Sequence, residues 1–240
     1  MNRNGERTSG FVDFDVFLSS VDREGVLSDT RERAEMSASR SHFVRLTAAG
    51  ICTVLFAGAR SGRAASGLPA SDISILNYAL VLEYLQASFY TEAERIGALA
   101  GKTAQAARIV GATERAHVEA FRKLLGSQAV KRPAFDFQGV TEQQNEFLKT
   151  AVAFEDLAVA AYKGQAPKLR SRSVLAAAVG IHSVEARHAA WMRELFGITP
   201  AVQSFDHPAS RARVNRIVAS THFIVQKPQM TERRKPRFTG

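Results

Sequence analysis

Two short motifs in this sequence place a glutamate and a histidine three residues apart. Glu114 and His117 lie in TERAHVEAFRKLL, and Glu185 and His188 lie in SVEARHAAWMR. Residues three apart project from the same face of a helix, and both motifs have the apolar spacing of helices that face a core. Carboxylate and imidazole groups are good ligands for divalent cations. Each motif therefore predicts two metal ligands on one helix.

Two further glutamates stand in apolar helical segments without a histidine. Glu83 lies in LEYLQASFY and Glu155 lies in FEDLAVAAY, each with a tyrosine seven residues later, Tyr90 and Tyr162. Seven residues are close to two helical turns, so each tyrosine shares the face of its glutamate. The two glutamates precede the Glu-x-x-His motifs by 31 and 30 residues. The chain thus contains two weakly similar halves.

Four carboxylates buried together would repel one another and lose their hydration, which costs several kcal/mol per ion. Two divalent cations would neutralise them, and the two imidazoles would complete the coordination. One glutamate from each of two helices and Glu-x-x-His from each of two others is a dinuclear carboxylate pattern. Carboxylate-rich ligation favours iron or manganese. The predicted metal ligands are Glu83, Glu114, His117, Glu155, Glu185 and His188.

Neighbouring polar and aromatic residues have less specific interpretations. The hydroxyls of Tyr90 and Tyr162 can donate hydrogen bonds to metal ligands, take part in redox chemistry or serve packing alone. Asp156 points about 100° away from Glu155 around the helix, so we expect it at the surface. His182 and Trp191 are predicted either to pack in the core or to contact the metal ligands. The core is predicted to include Leu82, Phe89 and Phe154.

The chain from residue 71 onward predicts four long helices, with few β-branched alternations. The two short connections, of about five residues, favour antiparallel pairs. About fifteen residues separate the second helix from the third, and they can span the roughly 36 Å length of a 24-residue helix. The first predicted helix runs from Ser71 or Asp72 to about Ala98, and the second from Thr103 to Leu125. The third begins at a Thr141–Gln144 capping box and ends near Pro167, and the fourth runs from Ser171 to Gly197. A short fifth helix runs from Ala209 or Ser210 to Val218.

These features resemble the ferritin-like superfamily. The segments DISILNYALVLEYLQASFY, AFEDLAVAAYKG and SVEARHAAWMR are similar to its exported, desiccation-related branch. The resemblance implies an all-α four-helix bundle over residues 67–226, with a long crossover between helices two and three and a short C-terminal fifth helix. It also implies that Glu83 and Glu155 are terminal ligands, that Glu114 and Glu185 bridge, and that His117 and His188 each bind one metal.

Residues 36–66 have the three parts of a secretory signal. Arg40 and Arg45 precede a short apolar run to Phe56, and Ala57-Gly58-Ala59 follows. The string SRSHFVRL resembles a twin-arginine signal with Ser41 in place of the second arginine, which leaves the general secretory route open as well. Residues 1–35 have five basic and eight acidic groups, and we interpret them as an over-long gene start. The alternative is a cytoplasmic protein with a disordered N-terminal arm.

Amino-acid composition limits the other kinds of site and of binding partner that the chain can have. The single cysteine, Cys52, excludes a disulfide framework and a cysteine-held iron–sulfur centre built by this chain alone. No apolar stretch is long enough to predict a stable membrane span. Residues 227–240 have five basic residues and one acidic residue, and we interpret them as a solvated, disordered tail. Nucleic acid is not the expected partner, since aromatic residues do not alternate with the basic ones.

Two functions fit the predicted site. The first is redox chemistry at a di-iron or di-manganese centre, with peroxide, dioxygen or ferrous ion as the small-molecule partner, which would make the protein a catalase-like or ferroxidase-like oxidoreductase. The second is a non-catalytic protein of desiccation or stress protection, whose metal site is structural or vestigial. In either case we expect a periplasmic or extracellular protein that can form a homo-oligomer.

Overall fold

The computed structural model describes residues 67–201 and 203–225, and these form a helical bundle. Its helices are α1 (Ala70–Ile96), α2 (Gly101–Leu125), α3 (Gln144–Gln165), α4 (Arg172–Phe196) and α5 (Arg211–Ser220). Short 3-10 turns occupy Gly126–Gln128 and Ala166–Lys168, and two short strands are β1 (Ala134–Phe135) and β2 (Ile224–Val225). The all-α bundle with a fifth short helix is therefore confirmed. The predicted N-terminal segments, 1–35 and 36–66, and the basic tail 227–240 lie outside the described residues.

Several helix ends follow from local sequence. Ser171 accepts a hydrogen bond from the backbone N–H of Val174 at the start of α4, and Ser210 does the same for Arg213 at the start of α5. Gly197 ends α4 in the left-handed conformation, with φ 83°, which glycine adopts without strain. These ends agree with the sequence predictions to within about two residues.

Two predicted caps are wrong. Helix α1 is preceded by Pro69, whose carbonyl accepts from Asp72 and Ile73. Helix α3 begins at Gln144, three residues after the expected start, and its first residues have no side-chain cap. The hydroxyl of Thr141 instead donates to Glu92 of α1, 2.8 Å away. Thr141 thus binds a residue of another helix and does not cap its own.

The carboxylate of Asp72 joins the starts of two helices. It is fully buried and accepts from the backbone N–H groups of Arg170 and Ser171, at the start of α4. Negative charge is stabilised at a helix N-terminus. The starts of α1 and α4 therefore lie at the same end of the bundle, and α2 and α3 both run the opposite way.

The connector between α2 and α3 crosses the whole bundle along α1. Asn77 donates to the carbonyl of Gln128 and accepts from the N–H of Val130, Arg132 donates to Ser88, and Gln144 accepts from Ala100. Its middle pairs with the C-terminal segment, because β1 and β2 form an antiparallel ladder. The long crossover predicted from the connector's length is confirmed.

Within the described residues, no helix is both long enough and apolar enough to cross a membrane.

The segment before α5 packs directly on α3 at Gly164. The N–H of Ala209 donates to the carbonyl of Ala160, and the carbonyl oxygen of Ala209 occupies the space where a Cβ of residue 164 would stand. Residue 164 can therefore have no side chain unless the segment moves.

We expect Gly164→Ala to destabilise the protein by about 1–3 kcal/mol, because overpacking outweighs the helix propensity that alanine adds. Urea unfolding measures the change. Gly67→Ala, where a Cβ meets nothing within 4 Å, is the control. Equal stability of the two variants would show that the segment before α5 is not held by this contact.

Candidate metal centre

The four long helices bring together all six of the predicted ligands in the middle of the bundle. Helices α1 and α3 each contribute a glutamate, and α2 and α4 each contribute a glutamate and a histidine. The glutamates are fully buried, and the two histidines are 5% and 7% exposed. The donor atoms form two groups, and the atoms of each group lie no more than 4.8 Å apart. One group comes from Glu83, Glu114, His117 and Glu185, and the other from Glu114, Glu155, Glu185 and His188.

Glu114 and Glu185 belong to both groups. These two residues are shared between the groups, while Glu83 and Glu155 each belong to one group. The division into bridging and terminal ligands that the resemblance implies stays a prediction, although this geometry permits it.

Both histidines present the same ring nitrogen to the carboxylates. The Nδ1 atom of His117 lies 3.2 Å from Glu83 Oε2, 3.3 Å from Glu114 Oε2 and 3.2 Å from Glu185 Oε1. The Nδ1 atom of His188 lies 2.9 Å from Glu114 Oε1 and 3.6 Å from Glu155 Oε2. Each imidazole therefore faces oxygens from two or three helices.

Most of these close atoms make no hydrogen bond within the part of the chain that the structure describes. They are Glu83 Oε2, Glu114 Oε1, Glu155 Oε2, Glu185 Oε1 and His188 Nδ1, and the second oxygen of Glu185 also makes none. Buried polar atoms that make no hydrogen bond are rare and costly. Carboxylate oxygens and imidazole nitrogens are the ligand atoms that hard or borderline divalent cations prefer. Here both kinds of atom lie close together and make no hydrogen bonds that would compete with a cation. The buried cluster can therefore hold metal ions.

Two tyrosines hold the outer glutamates across the two halves of the chain. The hydroxyl of Tyr90 donates to Glu155 Oε1 at 2.5 Å, and that of Tyr162 donates to Glu83 Oε1. In both glutamates it is the second oxygen, Oε2, that remains without a hydrogen bond. Burial and the adjacent carboxylate raise the pKa of each tyrosine well above its usual value, so both hydroxyls stay protonated donors.

The electrostatics of the cluster without metal are those of crowded carboxylates beside two imidazoles. Burial raises the pKa of Glu83 to about 7, although His117 lowers it in part. Burial and the nearby Glu114 raise the pKa of Glu185 well above its usual value. Burial alone would raise the pKa of Glu114 as well, but its contacts with His117 and His188 lower it. Without metal, some of these carboxylates therefore bind a proton and become neutral.

The residues around the site differ partly from expectation. Asp156, expected at the surface, is instead partly buried: it forms an ion pair with Arg193 of α4, with contacts of 3.0 Å and 2.5 Å, and Arg193 is buried. Its position on α3 directs the Asp156 side chain toward Arg193 of α4. Leu82, Phe89 and Phe154 are core residues as predicted, and Trp191 packs against the same core. His182 is partly buried and belongs to neither group of donor atoms.

Residues 71–197 match the family model of the ferritin-like domain. The chain belongs to the ferritin-like domain family. No curated protein matches the sequence. In this ferritin-like protein the family match covers all six residues of the cluster and, except for Ala70, all four long helices, whereas α5 lies outside the matched region.

Proposed function

We propose that this ferritin-like protein binds two iron or manganese ions in the buried cluster and uses them for redox chemistry on peroxide, dioxygen or ferrous ion. The observation that supports the proposal best is the set of buried carboxylate oxygens without hydrogen-bond partners. Glu83 and His117 would hold one ion, Glu155 and His188 the other, and Glu114 and Glu185 both. Two such ions, when bound, supply a pair of redox-active Lewis-acid centres that exchange two electrons.

The protein's own residues supply position and exclusion of water. Tyr90 and Tyr162 fix one oxygen of each outer carboxylate, so that the other oxygen faces the centre. The full burial of the four glutamates lowers the local dielectric and strengthens every charge interaction within the cluster. Peroxide disproportionation, 2 H₂O₂ → 2 H₂O + O₂, suits this site because one peroxide donates the two electrons that the other accepts.

Turnover assays on metal-loaded protein test the proposal. We expect iron- or manganese-loaded protein to evolve dioxygen from peroxide, or to oxidise ferrous ion, faster than an equal concentration of free ion. Loaded protein with two bound ions and no turnover on peroxide, dioxygen or ferrous ion would contradict the redox function. The protein would then be the non-catalytic, desiccation-related stress protein that its resemblance also suggests.

We further propose that the protein is exported, on the basis of Arg40, Arg45 and the apolar run that follows. A chain that begins at Met36 is expected to be secreted and cleaved near Ala59 or Ala64, whereas one that begins at Met1 is expected to be exported poorly. Sequencing the N-terminus of the mature protein measures the cleavage site. A native protein that retains residues 1–35 would contradict both the start at Met36 and the signal.

A further inference from the structure

The two sides of the carboxylate layer are built differently, although the two halves of the chain correspond. Residues of α1 and α3 that occupy equivalent places are 72 positions apart, as Glu83 and Glu155 are. On one side of the layer, Phe89, Phe147 and Phe154 form a buried aromatic cluster. Ring centroids are 4.9 Å apart for Phe89 and Phe147 and 5.1 Å apart for Phe89 and Phe154. These rings fill the space around Phe89, and we refer to this side of the layer as the closed side.

The other side has smaller residues at the equivalent positions. Ala161 corresponds to Phe89, Ile75 to Phe147 and Leu82 to Phe154, and all three line a cavity of about 20 Å³. Ala79 and Phe121 also line it, and they lie four residues from Glu83 and from His117 on the same helix faces. The cavity is therefore about one helical turn from the carboxylates, and Tyr162, which binds Glu83, forms part of its wall.

The wall of the cavity is almost entirely apolar, although some of its residues are polar. Gln165 and Tyr78 line it, and Gln165 Nε2 and the Tyr78 hydroxyl are buried without hydrogen-bond partners among the described residues. The residue equivalent to Gln165 on the closed side is Ala93. A cavity of this size holds one molecule about as large as water when polar partners are present. Because the wall is almost entirely apolar, the space suits a small uncharged molecule.

A surface groove of about 570 Å³ lies next to the cavity, between α1, α5 and β2. Tyr78 and Leu82 line both spaces, so their side chains form part of the wall that separates them. The guanidinium of Arg211, at the start of α5, lies 4.7 Å from the Tyr78 ring centroid and donates to the hydroxyl and carbonyl oxygens of Ser74. The fifth helix therefore forms one wall of the groove that lies next to the cavity.

We propose that the groove and the cavity form the access route by which a small uncharged oxidant, hydrogen peroxide or dioxygen, reaches the cluster. The assignment of an oxidant rests on the proposed redox function, whereas the route itself rests on the cavity and its asymmetry. A hydrated divalent cation keeps several waters and is too large for the cavity. The positive charge of Arg211 beside the path also disfavours a cation. The route therefore selects the oxidant over ferrous ion.

Dioxygen itself, as a paramagnetic probe in metal-free protein, tests the route without any turnover. We expect pressurised dioxygen to enhance the relaxation of the Ala161 and Ala178 methyl protons at least threefold more than that of Ala107 and Ala151 on the closed side. Leu82→Phe, which copies the closed side, should remove the difference. Equal enhancement on both sides, or a difference that survives in Leu82→Phe, would overturn the route. If Leu82→Phe does not fold, Ala161→Val narrows the same cavity and is judged in the same way.

A second measurement uses metal-loaded protein and peroxide and dioxygen in separate arms. Leu82→Phe is expected to keep its bound metal and to lower the second-order rate constant for at least one oxidant about tenfold, whereas Phe154→Leu should not lower it. The arm that responds identifies the oxidant. An unchanged rate constant for both oxidants in Leu82→Phe would overturn the route. Loaded wild-type protein that reacts with neither oxidant would refute the proposed function, while the relaxation experiment would still decide whether the route exists.

Discussion

Glu185→Ala is expected to abolish the binding of both metal ions. Glu185 belongs to both groups of donor atoms, and both of its oxygens lack hydrogen bonds. Its removal therefore takes a ligand from each ion and one of the charges that neutralise the pair. Glu83→Ala should chiefly weaken one ion, because Glu83 belongs to one group. Metal per chain, measured after loading and gel filtration, distinguishes the two outcomes.

Two companion variants control this experiment. Glu185→Gln keeps the shape of the side chain but not its charge, and it should also lose both ions. Glu194→Ala removes an exposed glutamate of the same helix and should retain both. A Glu185→Ala protein with full metal content would show that the buried cluster is not the binding site.

The free energy of unfolding is expected to depend on pH in opposite directions with and without metal. In the metal-free protein, burial raises the pKa of Glu83 from 4.5 to about 7. Burial alone would lower the pKa of His188, but Glu114 and Glu155 raise it from 6.5 to about 10. Groups with a raised pKa stabilise the fold below their unfolded value and lose that contribution as pH rises through the folded value. Metal-free stability should therefore fall between about pH 4.5 and pH 10.

Bound metal should reverse this slope. Protons compete with metal for carboxylates and imidazoles, so the loaded protein should lose stability in acid. At a thousandfold excess of free metal over its dissociation constant, binding adds about 4 kcal/mol to the free energy of unfolding. In the metal-free protein, burial alone would raise the pKa of Glu114, but His117 and His188 lower it. Glu114 therefore contributes stability that is lost in strong acid.

Thermal melts at about pH 5 and about pH 8, with and without chelator, measure both slopes. A melting temperature that chelator leaves unchanged at both pH values, with the metal confirmed to be removed, would mean that the six residues hold no metal pair. A metal-free bundle with a degenerate site would then be the better description.

The chain's local pattern was sufficient for the fold class and for the composition of the cluster. Apolar spacing and the Ser171, Gly197 and Ser210 boundaries defined four long helices and a short fifth, because these signals act within a few residues. The repeated interval between Glu83 or Glu155 and the Glu-x-x-His motifs placed six polar side chains on inward faces. The crossover could be predicted from the length of the connector and the dimensions of an extended chain and a helix alone.

Contacts between distant segments decided the rest, since side chains choose partners by proximity and not by sequence distance. Asp72 stabilises the start of α4 instead of its own helix, Thr141 binds Glu92 instead of closing a capping box, and Asp156 meets Arg193 instead of solvent. The hydrogen bonds from the two tyrosines to the outer glutamates join opposite halves of the chain. The asymmetry of the two sides of the cluster likewise depends on packing. Leu82 and Phe154 are both ordinary core residues in the sequence. Only their neighbours in the folded structure place a cavity beside Leu82 and an aromatic cluster around Phe154.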